Sequence, residues 1–118
     1  MEEFNRSPHH TLGVEWEVAC VDPENGDLVR SPEECFGIDG VVPELLTNTL
    51  ELVSGVHTSS PGAVRDLQGK LEQVRPFVEK HGKKLWASGT HPTAHWQDQE
   101  LSNKSHYSEI IERTQFWG

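Results

Sequence analysis

Three glutamates in two short segments have the residue type and spacing of a site for a divalent cation. Glu15 and Glu17 are two residues apart in a segment whose even positions, from Leu12 to Cys20, are all apolar. Alternate side chains of a β-strand point to opposite faces, so the two carboxylates should share the face that the apolar residues leave free. At roughly 7 Å apart along the strand, they are too distant to hydrogen-bond each other but can reach one or two Mg²⁺ ions.

The third glutamate, Glu51, lies in a second segment with strand alternation, residues 48–53. It shares a predicted face with Val53, and a carboxylate on a partly apolar face is less typical of a purely solvated position. We therefore predict that Glu15, Glu17 and Glu51 converge as metal ligands. The simpler alternative is an antiparallel strand with one solvent-exposed face, which accounts for many isolated Glu-x-Glu pairs.

The remaining sequence predicts the elements that would position these glutamates. Asn25-Gly26 suits the positive φ angles of a tight hairpin turn, and Ser60-Pro61 with Gly82 marks the start and end of a helix. The predicted elements are a strand over 11–21, a returning strand from Asp27, a loop over 30–42, a short helical turn from Pro43, a strand over 48–53, a helix from Pro61 to about His81 kinked near Pro76, a strand over 84–88, and a second helix from about Tyr107 that includes the chain end.

The strand and helix patterns also predict how the elements pack. The apolar face of the first strand should lie beneath the long helix, whose apolar residues recur at helical spacing. The residues expected in this contact are Leu12, Val14, Trp16 and Val18 from the strand, and Val64, Leu67 and Leu71 from the helix.

Composition excludes several classes of protein. The 118 residues carry a formal net charge of -9, so the basic surface of a nucleic-acid-binding protein is absent. No apolar run approaches the ~20 residues needed to span a bilayer. The two cysteines form no disulfide framework, which favours a reducing, cytoplasmic setting. His91 and His95 are four residues apart, but Pro92 argues against a regular helix that presents both to zinc, and a polar loop is the simpler interpretation.

Four motifs in the same order resemble the glutamate–cysteine ligase type 2, or carboxylate-amine ligase, family. The motifs are residues 13–17 (GVEWE), 21–29 (VDPENGDLV), 51–55 (ELVSG) and 89–96 (GTHPTAHW), and the closing stretch 113–118 (RTQFWG) is also similar. The Trp between the two glutamates resembles the actinobacterial-type members. Members of the family are considerably longer, so the chain looks like an N-terminal portion: a polar leader over 1–10, then the first part of a truncated catalytic domain over 11–118.

The resemblance implies an α+β fold, part of a glutamine-synthetase-like antiparallel sheet with helices on one face. It also implies ATP and Mg²⁺ as cofactors, and glutamate and an amine such as cysteine as substrates. By the same resemblance, Glu15, Glu17 and Glu51 would bind the metal, and Thr90 and His91 would line the substrate or nucleotide pocket. Tyr107 and Arg113 are further candidates for facing substrate, although packing and solvation are the commoner roles of such residues.

The resulting hypothesis is an ATP-dependent carboxylate-amine ligase present as a fragment that is inactive alone. A strand edge left open by the missing part would favour self-association. The alternative from another class is a non-catalytic module that keeps the same partial fold and binds Mg²⁺ or a partner chain without turnover.

Overall fold

In the part of the chain that the structure describes, four antiparallel strands form one sheet, with the two glutamate-bearing strands at its centre. The computed structural model describes residues 9–103 and 105–114. The strands are β1 (Glu15–Val21), β2 (Val41–Pro43), β3 (Thr49–Val53) and β4 (Lys84–Trp86), in the order β2-β3-β1-β4. Most of the predicted leader, residues 1–8, and the predicted helical end at 115–118 lie outside the described residues.

Within the described residues, two α-helices accompany the sheet, and their positions confirm the two predicted helices. Helix α1 spans Ser60–Lys80 and helix α2 spans Ser105–Thr114; short 3₁₀ helices occupy Glu33–Gly37 and Trp96–Asp98. Pro61 lies in the first turn of α1, where its missing N–H would have no helical partner. Helix α1 continues through Pro76 as one element, and the kink there stays a prediction.

The α+β class with an antiparallel sheet is therefore confirmed, while kinship with glutamine synthetase stays a prediction. The core lies between α1 and the sheet face formed by the even-numbered residues of β1 and β3, as the alternation predicts. Its fully buried side chains are Cys20, Cys35, Leu50, Leu52, Val74 and Val78.

Two residues predicted in this contact are exposed instead. Val14, which lies just before β1, is 37% exposed, and Val64 is 51% exposed. The buried stripe of α1 begins at Ala63 and continues through Leu67, so Val64 points away from the sheet. Trp16 is partly buried and packs against the core, as predicted for its face of β1.

The segments before β3 differ most from the prediction. Pro43 ends an edge strand instead of opening a helical turn, and an edge strand tolerates a proline because it needs no ladder donor there. The turn at Gly26 forms with φ of 79°, but the returning strand shrinks to a single bridge between Val21 and Leu28. Strands β3 and β4 already pair with most of β1, which leaves little of it for a hairpin partner.

Candidate functional site

Three glutamates meet on the sheet face opposite α1. Glu17 and Glu51 are directly opposed residues of the antiparallel β1 and β3 pair. Directly opposed residues place their Cβ atoms about 5 Å apart, so both carboxylates reach the same space. Glu44, which follows β2, joins them. One carboxylate oxygen from each of the three lies within 4.8 Å of the others, and we call these three residues the acidic cluster.

Glu44 is held in the acidic cluster by helix α2. The Tyr107 hydroxyl donates a hydrogen bond to Glu44 Oε2 at 2.9 Å. The backbone N–H of Leu45 donates to the same oxygen, and the Ser102 hydroxyl donates to the Glu44 carbonyl. The loop after β2 therefore depends on residues that come more than fifty positions later in the chain.

The environment of Tyr107 keeps its hydroxyl protonated. Burial raises the pKa of Tyr107 to about 12, and the hydrogen bond to Glu44 and the negative charges of Glu44, Glu51 and Glu17 act in the same direction. A phenol with this pKa remains a hydrogen-bond donor at neutral pH. Tyr107 therefore supports Glu44 as a donor and adds no negative charge to the acidic cluster.

The donor set of the acidic cluster suits a hard divalent cation. The donors that the described ranges bring together here are all carboxylate oxygens, which are the ligands that Mg²⁺ and Ca²⁺ prefer. Three like charges at this separation repel each other, and a bound cation would remove that repulsion. Glu17 is exposed and the other two are partly buried, so water or a ligand can supply further oxygens.

A cleft of about 200 Å³ opens beside the acidic cluster. Glu17 and Thr49 lie on its sheet side, and the segment after β4, including Gly89, Thr90 and His91, forms another wall. The structure therefore brings two predicted pocket residues, Thr90 and His91, to the same cleft as one predicted metal ligand. Their contact with substrate or nucleotide stays a prediction.

His91 holds the cleft wall together through both of its ring nitrogens. Nε2 lies 2.8 Å from the Gly26 carbonyl and donates to it, while Nδ1 accepts from the backbone N–H groups of Thr93 and Ala94. The ring also packs at a tilt against Trp86, with ring centroids 6.1 Å apart. With both nitrogens engaged, His91 has no lone pair for a metal ion, which favours the polar-loop interpretation over a zinc site.

Two other predicted site residues lie outside the acidic cluster. Glu15 is exposed on the same face of β1 as Glu17, but its cross-strand partner is Val53, so no carboxylate of β3 lies opposite it. Arg113 is exposed in the last turn of α2 and is not among the residues that line the cleft. Their predicted roles remain predictions.

The two cysteines carry no reactive thiol. Cys20 and Cys35 are free and buried. Burial raises the pKa of both thiols, that of Cys35 to about 11. A thiol with a raised pKa is a poor nucleophile at neutral pH.

The comparison with known families identifies the group to which these residues belong. The model of glutamate-cysteine ligase family 2 matches residues 11–118, which include every residue of the acidic cluster and the cleft. The chain belongs to this family. The motifs that suggested the resemblance lie on β1, on β3, and on the turns that flank β1 and β4.

Curated relatives in the family carry ligase names. A protein of Corynebacterium jeikeium named "Putative glutamate--cysteine ligase 2" is 50% identical over 115 residues, covering 92% of this chain and 29% of the relative. A Nocardia farcinica protein named "Putative glutamate--cysteine ligase 2-2" is 42% identical, covering 98% of this chain and 33% of the relative. A Mycobacterium ulcerans protein with the first of these names is 44% identical, with 98% and 31% covered. The actinobacterial character of the resemblance is thus confirmed.

This member of glutamate-cysteine ligase family 2 spans about a third of the length of the curated relatives it matches. No solved structure matches it. Across the described ranges, no helix combines the length and the apolar character that crossing a bilayer requires.

Glu44 is the cluster residue that the sequence analysis missed. It belongs to no acidic motif and follows a proline that suggested a turn. A usable signal was the apolar pair Val41-Val42 ahead of Pro43, which is compatible with a short edge strand. A strand predicted over residues 41–43 would have placed Glu44 at its end, near Glu51.

Proposed function

We propose that the chain forms part of an ATP-dependent ligase that joins glutamate to an amine such as cysteine. The observation that carries the proposal is the acidic cluster: three carboxylates converge on one sheet face in a chain of glutamate-cysteine ligase family 2. The names of the relatives supply the substrates of the proposal.

The proposed reaction has two steps. The γ-carboxylate oxygen of glutamate attacks the terminal phosphorus of ATP, and the bond to the ADP oxygen breaks, giving an acyl phosphate and ADP. The amine nitrogen then attacks the acyl carbon and loses a proton, an amide forms, and phosphate leaves. Mg²⁺, when bound, neutralises the crowded phosphate and carboxylate oxygens and holds them in line.

The acidic cluster supplies the residues that would hold this cation. Glu17 and Glu51 are anchored on paired strands, and rigid strands keep ligands in place without loop motion. Glu44 provides the third oxygen. Glu15, two residues along the same face, is proposed as a ligand to the same ion or to a second one.

The cleft beside the acidic cluster is the proposed place for the substrate or nucleotide. Thr90 and His91 contribute its far wall, so a ligand there would have its charged groups within reach of the cation at Glu17. Arg113 is proposed to face substrate in the complete enzyme. An ATP-consuming reaction and two free thiols fit the reducing cytoplasm.

The edges of the sheet are proposed as the place where the chain associates with another copy. Strands β2 and β4 are the outermost strands, and exposed strand edges tend to pair with other chains. Light scattering across a concentration series would show this as a rising mass, whereas a constant monomer mass would contradict it.

Calorimetric titration with Mg²⁺ and Mn²⁺ tests the metal site. We expect Glu51→Gln to weaken binding because the amide keeps the volume but loses the charge that attracts the ion. Glu79→Gln, on an exposed position of α1, is the matched control and should bind as the wild type does. Equal affinity of Glu51→Gln and the wild type would remove Glu51 from the site.

Activity separates the ligase from the non-catalytic alternative. The assay is ADP release that depends on glutamate and cysteine, run on the chain alone and on the chain joined to the remaining two-thirds of the Corynebacterium jeikeium relative. We expect turnover only from the joined protein, because ligation needs ATP, metal and two substrates held together. A joined protein that binds Mg²⁺ but releases no ADP, beside an active natural relative, would favour the binding module.

A further inference from the structure

Glu44 differs from the other two cluster residues in how its backbone is held. Glu17 and Glu51 lie within paired strands, whereas Glu44 begins the loop between β2 and β3. The segment that leads into α2 holds that loop in place through hydrogen bonds. The Ser102 N–H donates to the Leu45 carbonyl at 2.8 Å, the Thr47 N–H donates to the Glu100 carbonyl at 2.9 Å, and the Ser102 hydroxyl donates to the Glu44 carbonyl.

The Glu44 carboxylate is held as firmly as its backbone. Tyr107 and the Leu45 N–H both donate to Oε2. Within the described residues, Oε1 is therefore the oxygen that no hydrogen bond engages. A carboxylate fixed through one oxygen presents the other in a defined direction, which is how partners outside the coordination sphere orient metal ligands.

From this arrangement we propose that Tyr107 is a positioning residue: it fixes Glu44 for cation binding, and thereby couples cation binding to the docking of α2. The inference rests on the proposed metal site. A glutamate on a loop loses rotational freedom when it binds an ion, and a preformed hydrogen bond removes most of that cost beforehand. The role differs from the substrate contact predicted for Tyr107 from the sequence.

Removing the Tyr107 hydroxyl tests the proposal directly. In the 118-residue chain, Tyr107→Phe keeps the ring and should weaken Mn²⁺ binding about tenfold in calorimetry, the lower end of the effect of losing such an outer partner. Thr114→Val is the matched control, because it removes a hydroxyl from the same helix that, among the described residues, donates its hydrogen bond to the Ile110 carbonyl. Its Mn²⁺ affinity should equal that of the wild type.

A double-mutant cycle separates positioning from general loosening of α2. If Tyr107 acts through Glu44, the tenfold effect of Tyr107→Phe should vanish in a Glu44→Gln background. An effect that persists unchanged there would mean that Tyr107 acts on the whole loop, and would overturn the positioning role.

The chain contains a single tyrosine, which gives a second readout that requires no variant of Tyr107. With ¹³C at the hydroxyl-bearing ring carbon, NMR should show one tyrosine signal that moves during a Mg²⁺ titration, with the same Kd as calorimetry. Glu44→Gln should abolish the movement. This measurement remains decisive even if Tyr107→Phe fails to fold.

The outcomes distinguish this inference from the proposed function. If the wild type binds Mn²⁺ and Glu51→Gln weakens binding, but Tyr107→Phe does not and the tyrosine signal stays still, the positioning role is overturned and the metal site stands. If the wild type binds no cation at all, the metal site and the positioning role are both overturned, and the ligase proposal is decided by ADP release from the joined protein.

Discussion

The two faces of the central strands β1 and β3 carry different kinds of side chain, because alternate residues of each strand point to opposite faces. On the face toward α1, Val18, Leu50 and Leu52 are almost fully buried. On the other face, Glu17 and Glu51 bring two negative charges to directly opposed positions. Burial on the first face lowers the free energy of the folded state by excluding water, whereas the like charges on the other face repel each other and oppose folding.

This contrast separates the face that stabilises the fold from the face that we propose binds a cation. Cross-strand pairs of like charge destabilise a sheet, so a fold selected for stability alone would place an opposite charge or an apolar residue at one of these positions. Because one register fixes both faces, the same packing of Leu50 and Leu52 that stabilises the sheet also holds the glutamates in place. Substitutions on the buried face should therefore change mainly the free energy of unfolding, and substitutions on the acidic face should change mainly cation binding.

The largest effect is expected from the buried face. Leu52→Ala removes a fully buried side chain and should lower the free energy of unfolding by about 3 kcal/mol, measured by urea denaturation. Val42→Ala is the matched control on the other face, because Val42 is 36% exposed and lies opposite Glu51. The control should cost less than about 1 kcal/mol. Equal losses for the two variants would contradict the contrast between the faces.

Trp16→Ala should give the next largest loss. A fully buried Trp costs about 3–5 kcal/mol when truncated to Ala. Trp16 is only partly buried, beside Leu71 of α1, so we expect about 2 kcal/mol in the same denaturation experiment. A loss of less than about 0.5 kcal/mol would place Trp16 on the surface. The buried part of this face would then begin at Val18.

Local sequence patterns predicted much of this contrast, because alternation along β1 and β3 depends only on neighbouring residues. Helix α1 was equally predictable, from the helical spacing of its apolar residues and from Pro61 and Gly82 near its ends. Glu44 was only partly predictable: residues 41–43 are compatible with an edge strand that ends beside it, but its contacts with Tyr107 and Ser102 join residues more than fifty positions apart. No local pattern carries information about a contact of that sequence separation.

The acidic face should show its role in binding and not in stability. Glu17→Gln should weaken Mn²⁺ binding about tenfold, equivalent to about 1.4 kcal/mol, because one of three charged ligands becomes neutral. In the absence of metal, the free energy of unfolding should equal that of the wild type or exceed it by less than about 1 kcal/mol, because the neutral amide relieves the cross-strand repulsion with Glu51. The exposed Glu79→Gln variant again serves as the control for a change of one charge. If both variants bind Mn²⁺ as the wild type does, the acidic face has no cation role at Glu17.

The smallest effect is expected at Asp66, a charged residue of α1, the helix that packs on the buried face of the sheet. Asp66 in α1 accepts hydrogen bonds from the Gly55 N–H at 2.7 Å and from His57 Nε2 at 2.9 Å, which tie the helix to the chain that follows β3. The hydrogen bond from His57, followed by that from Gly55, lowers the pKa of Asp66 to about 2 from its usual 3.8. A carboxyl whose pKa falls on folding stabilises the protein above its unfolded pKa, and that contribution is lost as the pH falls toward the folded value.

We therefore expect Asp66→Asn to unfold at a lower temperature than the wild type at pH 6, and the difference should shrink between about pH 4 and pH 2. Thermal unfolding followed by circular dichroism across this range measures it, and Asp98→Asn, at an exposed position, supplies the control. Mn²⁺ affinity at neutral pH should not change, because Asp66 belongs to the helix side. A difference that persists undiminished at pH 2 would show that Asp66 acts through packing and not through its charge. A loss of Mn²⁺ binding would show that the two faces are not independent.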